Sequence, residues 1–189
     1  MTVLLEPTSQ EAHDEIRRAL AAPLELLVVH VVGHGYLNES ARLSLIMKDS
    51  QEDNLLRTSV DIEGLLAQAG QRSQERAVIL IVDTSFAGAA IPSTPPTLNN
   101  WFVLAATDAH GHAYEWAGED GEWSSFTGVL AHLLNNGITD SPYPLVTVTD
   151  LAQEASEAIL RHDSTGRQRV TWSGTTNIEA LALACNHSK

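Results

Sequence analysis

A chain of 189 residues suits a single domain, 1–189, with one sizeable core, and 43% hydrophobic residues exceed what a disordered chain carries. With 11 Lys and Arg against 24 Asp and Glu, the net charge of −13 leaves too little positive surface for a phosphate backbone, so nucleic acid is not an expected partner. No apolar run reaches the roughly 18 residues of a membrane span. The first residues, MTVLLEPTSQEAHDEI, show no basic region followed by an apolar stretch, so they are not expected to be a signal peptide. The one cysteine, Cys185, allows no internal disulfide, and a cytoplasmic location is expected.

SQEAHDEIRRAL reads as the first helix, with Ser9 as N-cap and Glu11, Glu15, Arg17 and Arg18 placed to suit its dipole. LELLVVHVVG (24–33) is almost continuous Leu and Val, the pattern of a strand buried on both faces. RLSLIM (42–47) alternates and suggests a short edge strand. SVDIEGLLAQAG predicts a helix capped by Ser59 and stopped by Gly70. RAVILIVD (76–83) and WFVLAAT (101–107) are further buried strands, separated by the proline-rich loop 92–100. HGHAYEWAGEDGEW is polar and irregular. SSFTGVLAHLLNNG (124–137) predicts a helix capped by Ser124 or Ser125 and ended by Gly137; another starts after Thr149 in TVTDLAQEASEAILRH. RVTWSG and EALALA close the chain.

Strands alternating with helices predict an α/β fold: a mostly parallel central sheet with helices on both faces, three layers in all. In such sheets reactive groups lie in loops beyond the carboxyl ends of the strands. Two strands end in side chains able to do chemistry. The first ends in Gly33-His34-Gly35 and the second in Asp83-Thr84-Ser85. If these strands are parallel neighbours, both loops leave the same sheet edge. His34 then becomes a candidate general acid or base, and the Gly35 amide a candidate oxyanion donor. The plainer readings are a solvated loop histidine and, for Asp83, a turn residue capping backbone amides.

Other patterns point away from competing chemistries. His30 and His34 are four apart but lie on a strand and its loop, without the glutamate of a zinc-protease helix, and His30 reads as a packed core residue. His110 and His112 flank Gly111 in a polar loop, and Asp108, Glu119, Asp120 and Glu122 follow no calcium-loop spacing. No metal or cofactor is expected. Trp116 and Trp123 are candidates to line a substrate groove. Ser85 does not sit in a G-x-S-x-G elbow.

VVHVVGHG followed by ILIVDTSFAG resembles the caspase-like cysteine peptidases: caspases, metacaspases and bacterial relatives of the effector-associated type. FVLAATDAHGHAYEW, with Glu115, is similar to their third strand and the loop after it. SSFTGVLAHLLNNG is similar to their Phe-Thr-x-x-Leu helix, and RVTWSGTTNIEALALACN to the closing segment. The resemblance spans most of the chain. It implies a three-layer caspase-like fold and an endopeptidase that acts on proteins or peptides through a His/Cys dyad. His34 would be the acid/base, residue 85 the nucleophile position, the amides of Gly35 and Ser85 the oxyanion hole, and Asp83 the acid of the first specificity pocket, selecting Arg or Lys. It leaves room for an activating partner domain or protein.

The chain departs from that pattern at two places. Ser85 stands where the family has cysteine, and the family's first strand is expected to be absent, reduced to residues 2–5, or trimmed from this piece of chain; without it a sheet edge would need to be covered or paired. A hydroxyl is a far weaker acid than a thiol, and it needs a tightly coupled base that a cysteine dyad does not supply. Ser85 therefore reads as an inactivating substitution, as the mark of a pseudoenzyme, or as the nucleophile of a serine hydrolase on this scaffold. The reading from another class is a non-catalytic interaction or scaffold module.

Overall fold

The computed structural model describes residues 1–72, 75–94, 96–113, 125–139, 141–163 and 166–187. In chain order the elements are α1 (Ser9–Ala21), β1 (Leu26–Val32), β2 (Gly35–Leu37), β3 (Leu43–Leu45), α2 (Leu55–Thr58), β4 (Val60–Asp61), α3 (Glu63–Arg72) and β5 (Ala77–Asp83). There follow β6 (Asn100–Ala105), α4 (Ser125–Asn136), β7 (Leu145–Thr147), α5 (Val148–His162), β8 (Thr171–Gly174), α6 (Thr176–Glu179) and β9 (Ala182–Cys185).

The central sheet has the order β1-β5-β6-β8. β1, β5 and β6 run parallel and β8 is antiparallel to β6. The fold is thus mixed α/β with a mostly parallel central sheet, as expected. Side chains alternate across the strands and divide the core in two. Val78, Leu80 and Val82 of β5 join Leu65, Leu66 and Ala69 of α3 and Leu20 of α1 on one face. Ile79 and Ile81 join Phe126 and Leu130 of α4 and Leu151 and Ala155 of α5 on the other. Burying one such Leu, Ile or Phe is worth about 1.5–3 kcal/mol, so the two clusters together hold the helices on the sheet.

β1 departs from expectation. It is the edge strand, and only one of its faces is covered. Leu27 is buried, while Val28 and Val32 are 47% and 56% exposed. The register aligns Val28 with Ile79 and Val32 with Asp83, so these residues share the α4–α5 face. The buried apolar positions of those helices cluster with β5 and β6 residues instead.

β3 is not an edge strand of this sheet. It is the buried middle strand of a small antiparallel sheet, β2-β3-β4. The helix expected from Ser59 starts later, at Glu63, because Val60 and Asp61 pair with β3. It also runs past Gly70, which is a packing position: a Cβ there would lie 2.5 Å from Thr97 Oγ1 and 3.1 Å from the Leu98 amide nitrogen.

Caps are displaced by one or two residues. Thr8, not Ser9, caps α1, in a reciprocal box with Glu11. Thr147 caps α5 in the same way with Asp150. Gly137 ends α4 in the left-handed region, φ 81°, as its position predicts. The end of α1 is closed from a distance. The Arg76 side chain, 7% exposed, donates to the carbonyls of Leu20 (2.8 Å), Leu24 (3.0 Å) and Ala22. No helix among the described residues is long and apolar enough to cross a membrane.

Candidate active site

β1 and β5 are in register to their ends, with Val32 opposite Asp83, and the pairing continues one residue further through the Gly33 amide, which donates to the Asp83 carbonyl at 3.1 Å. Both loops therefore leave the same edge of the sheet at the same level. Beyond this point the chain turns into β2, and the His34 carbonyl accepts from the Ile46 amide at 2.9 Å. That bond makes Gly35 and Leu45 a pair that does not exchange ladder hydrogen bonds, so the β2–β3 ladder leaves the Gly35 amide unused.

The two loops touch at Gly35. A Cβ on Gly35 would stand 2.6 Å from the Ser85 carbonyl oxygen and 2.8 Å from Thr84 Oγ1, so only glycine admits this approach. His34, the residue before the contact, is exposed, and Ser85 is half-buried. Among the described residues no hydrogen bond links the His34 ring to Ser85. Ser85 Oγ accepts from the Ala113 amide, at 3.3 Å.

Past Ser85 the chain turns sharply. Phe86 is left-handed at φ 63°, and a short 3-10 turn, Ala87–Ala90, follows. The loop after β6 holds this turn. The Phe86 amide donates to the Gly111 carbonyl at 2.7 Å, the Ala87 amide to Thr107 Oγ1 at 2.9 Å, and the Phe86 and His112 rings meet edge to face at 5.0 Å. Gly88 lets the Asp108–Ala109 backbone close in; a Cβ there would meet it at 2.6 Å. The loop bearing His110 and His112 thus packs against the Ser85 turn. Among the described residues no group of three or more His, Cys, Asp and Glu side chains could hold a metal ion.

Asp83 is buried, 2% exposed, beneath the start of α4. Its Oδ2 accepts from the Thr127 amide (3.1 Å) and the Thr127 hydroxyl (2.5 Å). A carboxylate at the first turn of a helix is favoured by the unpaired amides and the dipole there. On β1, His30 Nε2 lies 3.2 Å from the same Thr127 hydroxyl. His30 is open to solvent on one flank. Desolvation on its packed flank lowers its pKa below the ordinary 6.5, and the Asp83 charge opposes the shift.

The structure thus brings the His34–Gly35 and Asp83–Ser85 loops together. Cys185 lies elsewhere, exposed on β9, which pairs with β7 outside the central sheet. Glu115, Trp116, Glu119, Asp120, Glu122, Trp123 and Ser124 lie outside the described residues. The sequence reading gave Thr127 and Thr107 no role. The β1–β5 register puts His30 and Asp83 on one face of the sheet, where the Thr127 hydroxyl from the covering helix meets both, and no local signal in the sequence gives that register.

The mostly parallel central sheet with helices on both faces matches the caspase-like fold. No protein-family profile matches the chain, and no curated protein does. Among solved structures it is similar to caspase-1 from Spodoptera frugiperda, with a TM-score of 0.62 at 15% sequence identity, covering 100% of this chain and 74% of that one.

Proposed function

We propose that this chain is a caspase-like endopeptidase domain displayed with serine in the nucleophile position. The observation that carries the proposal is the contact of Gly35 with the Ser85 carbonyl, because it joins a histidine loop and a nucleophile loop that are about fifty residues apart in sequence. With a thiolate at position 85, the reaction follows from the groups at hand. Sulfur attacks the peptide carbonyl carbon, and the oxygen gathers negative charge toward the amides of Gly35 and residue 85. His34 gives a proton to the departing amine as the C–N bond breaks. It then takes one from the water that releases the acyl group, which regenerates the thiolate.

Ser85 lacks what the same steps require of a hydroxyl. A serine nucleophile needs a base already hydrogen-bonded to it and an acid that orients the base. The Ser85 hydroxyl instead accepts from the Ala113 backbone amide, at 3.3 Å. This supports an inactive variant or pseudoenzyme over a serine hydrolase.

Asp83 would line the first specificity pocket and favour Arg or Lys before the cut. A carboxylate shielded from water attracts a cation more strongly than a solvated one. The test is Ser85→Cys, assayed on peptides with Arg, Lys or Asp before the cut. Cleavage after the basic residues is the expected result, and a folded variant inert on all three would refute the peptidase reading. The second reading, a non-catalytic interaction module, draws on the same Ser85–Ala113 contact. It expects His34→Ala to leave partner binding intact.

A further inference from the structure

His30, Thr127 and Asp83 form a chain of polar contacts from β1 across α4 to β5. An ionised carboxylate only accepts, and a hydroxyl has one proton to give. The Thr127 proton goes to Asp83 Oδ2, at 2.5 Å. With that proton committed to Asp83, the 3.2 Å contact between the Thr127 oxygen and His30 Nε2 is a hydrogen bond in the tautomer that carries hydrogen on Nε2. In that tautomer donation runs from β1, through α4, to the end of β5. Two donors from Thr127, its amide and its hydroxyl, fall on one carboxylate oxygen and hold that oxygen in place. The imidazole N–H in turn restrains the Thr127 hydroxyl, which could otherwise rotate to another acceptor.

We propose that His30 and Thr127 are positioning residues that aim the Asp83 carboxylate, and that through it they set how firmly the groove holds a basic side chain. The proposal rests on the specificity-pocket reading of Asp83. Neither residue touches the reacting atoms, so their effect is on recognition of the cation and not on the chemical step.

The protein with Ser85 in place serves for the test, since binding needs no turnover. The probes are a fluorescein-labelled tetrapeptide ending in arginine and its twin ending in citrulline, which keeps the shape and lacks the charge. Tighter binding of the arginine peptide is expected in the unaltered protein. Thr127→Val and His30→Leu should each shrink that arginine-to-citrulline ratio at least threefold, roughly the loss of one hydrogen bond. Thr127→Ser and His30→Gln, which keep a donor in place, should restore it. Nitrogen-15 spectra of the His30 ring should show Nε2 protonated. If Thr127→Val does not fold, the His30 pair decides.

Folded Val and Leu variants with an undiminished ratio, or a His30 ring protonated on Nδ1 alone, would overturn this proposal and leave the pocket reading standing. Equal binding of both peptides by the unaltered protein would overturn the pocket reading and this proposal with it.

Discussion

Replacing Gly35 by alanine drives a methyl group into the contact on which the site depends. The new Cβ would stand 2.6 Å from the Ser85 carbonyl oxygen and 2.8 Å from both Thr84 Oγ1 and Leu43 Cδ1. Ordinary contact begins near 3.4 Å, so one backbone segment must withdraw by about 0.8 Å. Neither neighbour yields easily. Thr84 is fully buried, Leu43 is 0% exposed, and the Ser85 carbonyl belongs to a turn pinned by Phe86 and Ala87. Overpacking of this kind costs about 1–3 kcal/mol. In a domain of this length that lowers Tm by roughly 2–12 °C. A displacement near 1 Å at reacting groups costs on the order of 100-fold in rate. The assay compares Ser85→Cys with the double variant Ser85→Cys, Gly35→Ala, recording kcat/KM on an arginine peptide and a thermal melt for each. A double variant with unchanged Tm and kcat/KM within about threefold of its parent would refute the claim that this contact assembles the site.

Arg76→Ala should destabilise the protein by about 3 kcal/mol, since three carbonyl acceptors at the end of α1 lose a charged donor at once. A urea midpoint reads this loss, Arg76→Lys should recover only part of it, and a cost below about 1 kcal/mol would count against the clasp. The depressed pKa of His30 also makes a pH prediction. The unfolded chain takes up a proton on this ring at higher pH than the folded one. Stability should therefore fall as pH drops through the ordinary value of 6.5 toward the lower folded value, and rise again with pH. His30→Gln should remove that slice of the pH dependence; urea midpoints that vary with pH identically in the two proteins would contradict it.

The central part of the fold was legible because β5 and β6 are buried on both faces, and a continuous apolar run records that directly. β1 carries the same kind of run, yet Val28 and Val32 face outward. A run of valines reports what a strand can bury, not whether a helix reaches far enough to bury it. Ser59 has the chemistry of a cap, but Val60 and Asp61 are claimed by β3, so the helix start is set by a partner remote in sequence. Gly70 illustrates the same limit: it reads as a stop signal and serves as a slot for the Thr97–Leu98 backbone. The His34 and Ser85 loops were legible because each follows a strand whose end is marked by glycine or acid. The Thr127 bridge was not, because nothing local in α4 says which strand its first turn will cover.

The Arg76 clasp also bears on the order in which the molecule assembles. Its three hydrogen bonds close sequence separations of 52, 54 and 56 residues. Bringing ends that far apart together costs about 3.5 kcal/mol of chain entropy before any contact repays it. The β1–β5 pairing spans the same interval, and parallel pairings of this kind form slowly. The guanidinium is bonded one residue before that ladder begins, next to its first rung, Leu26 opposite Ala77. The His34 and Ser85 loops lie at the far end of the ladder, so their apposition depends on that alignment.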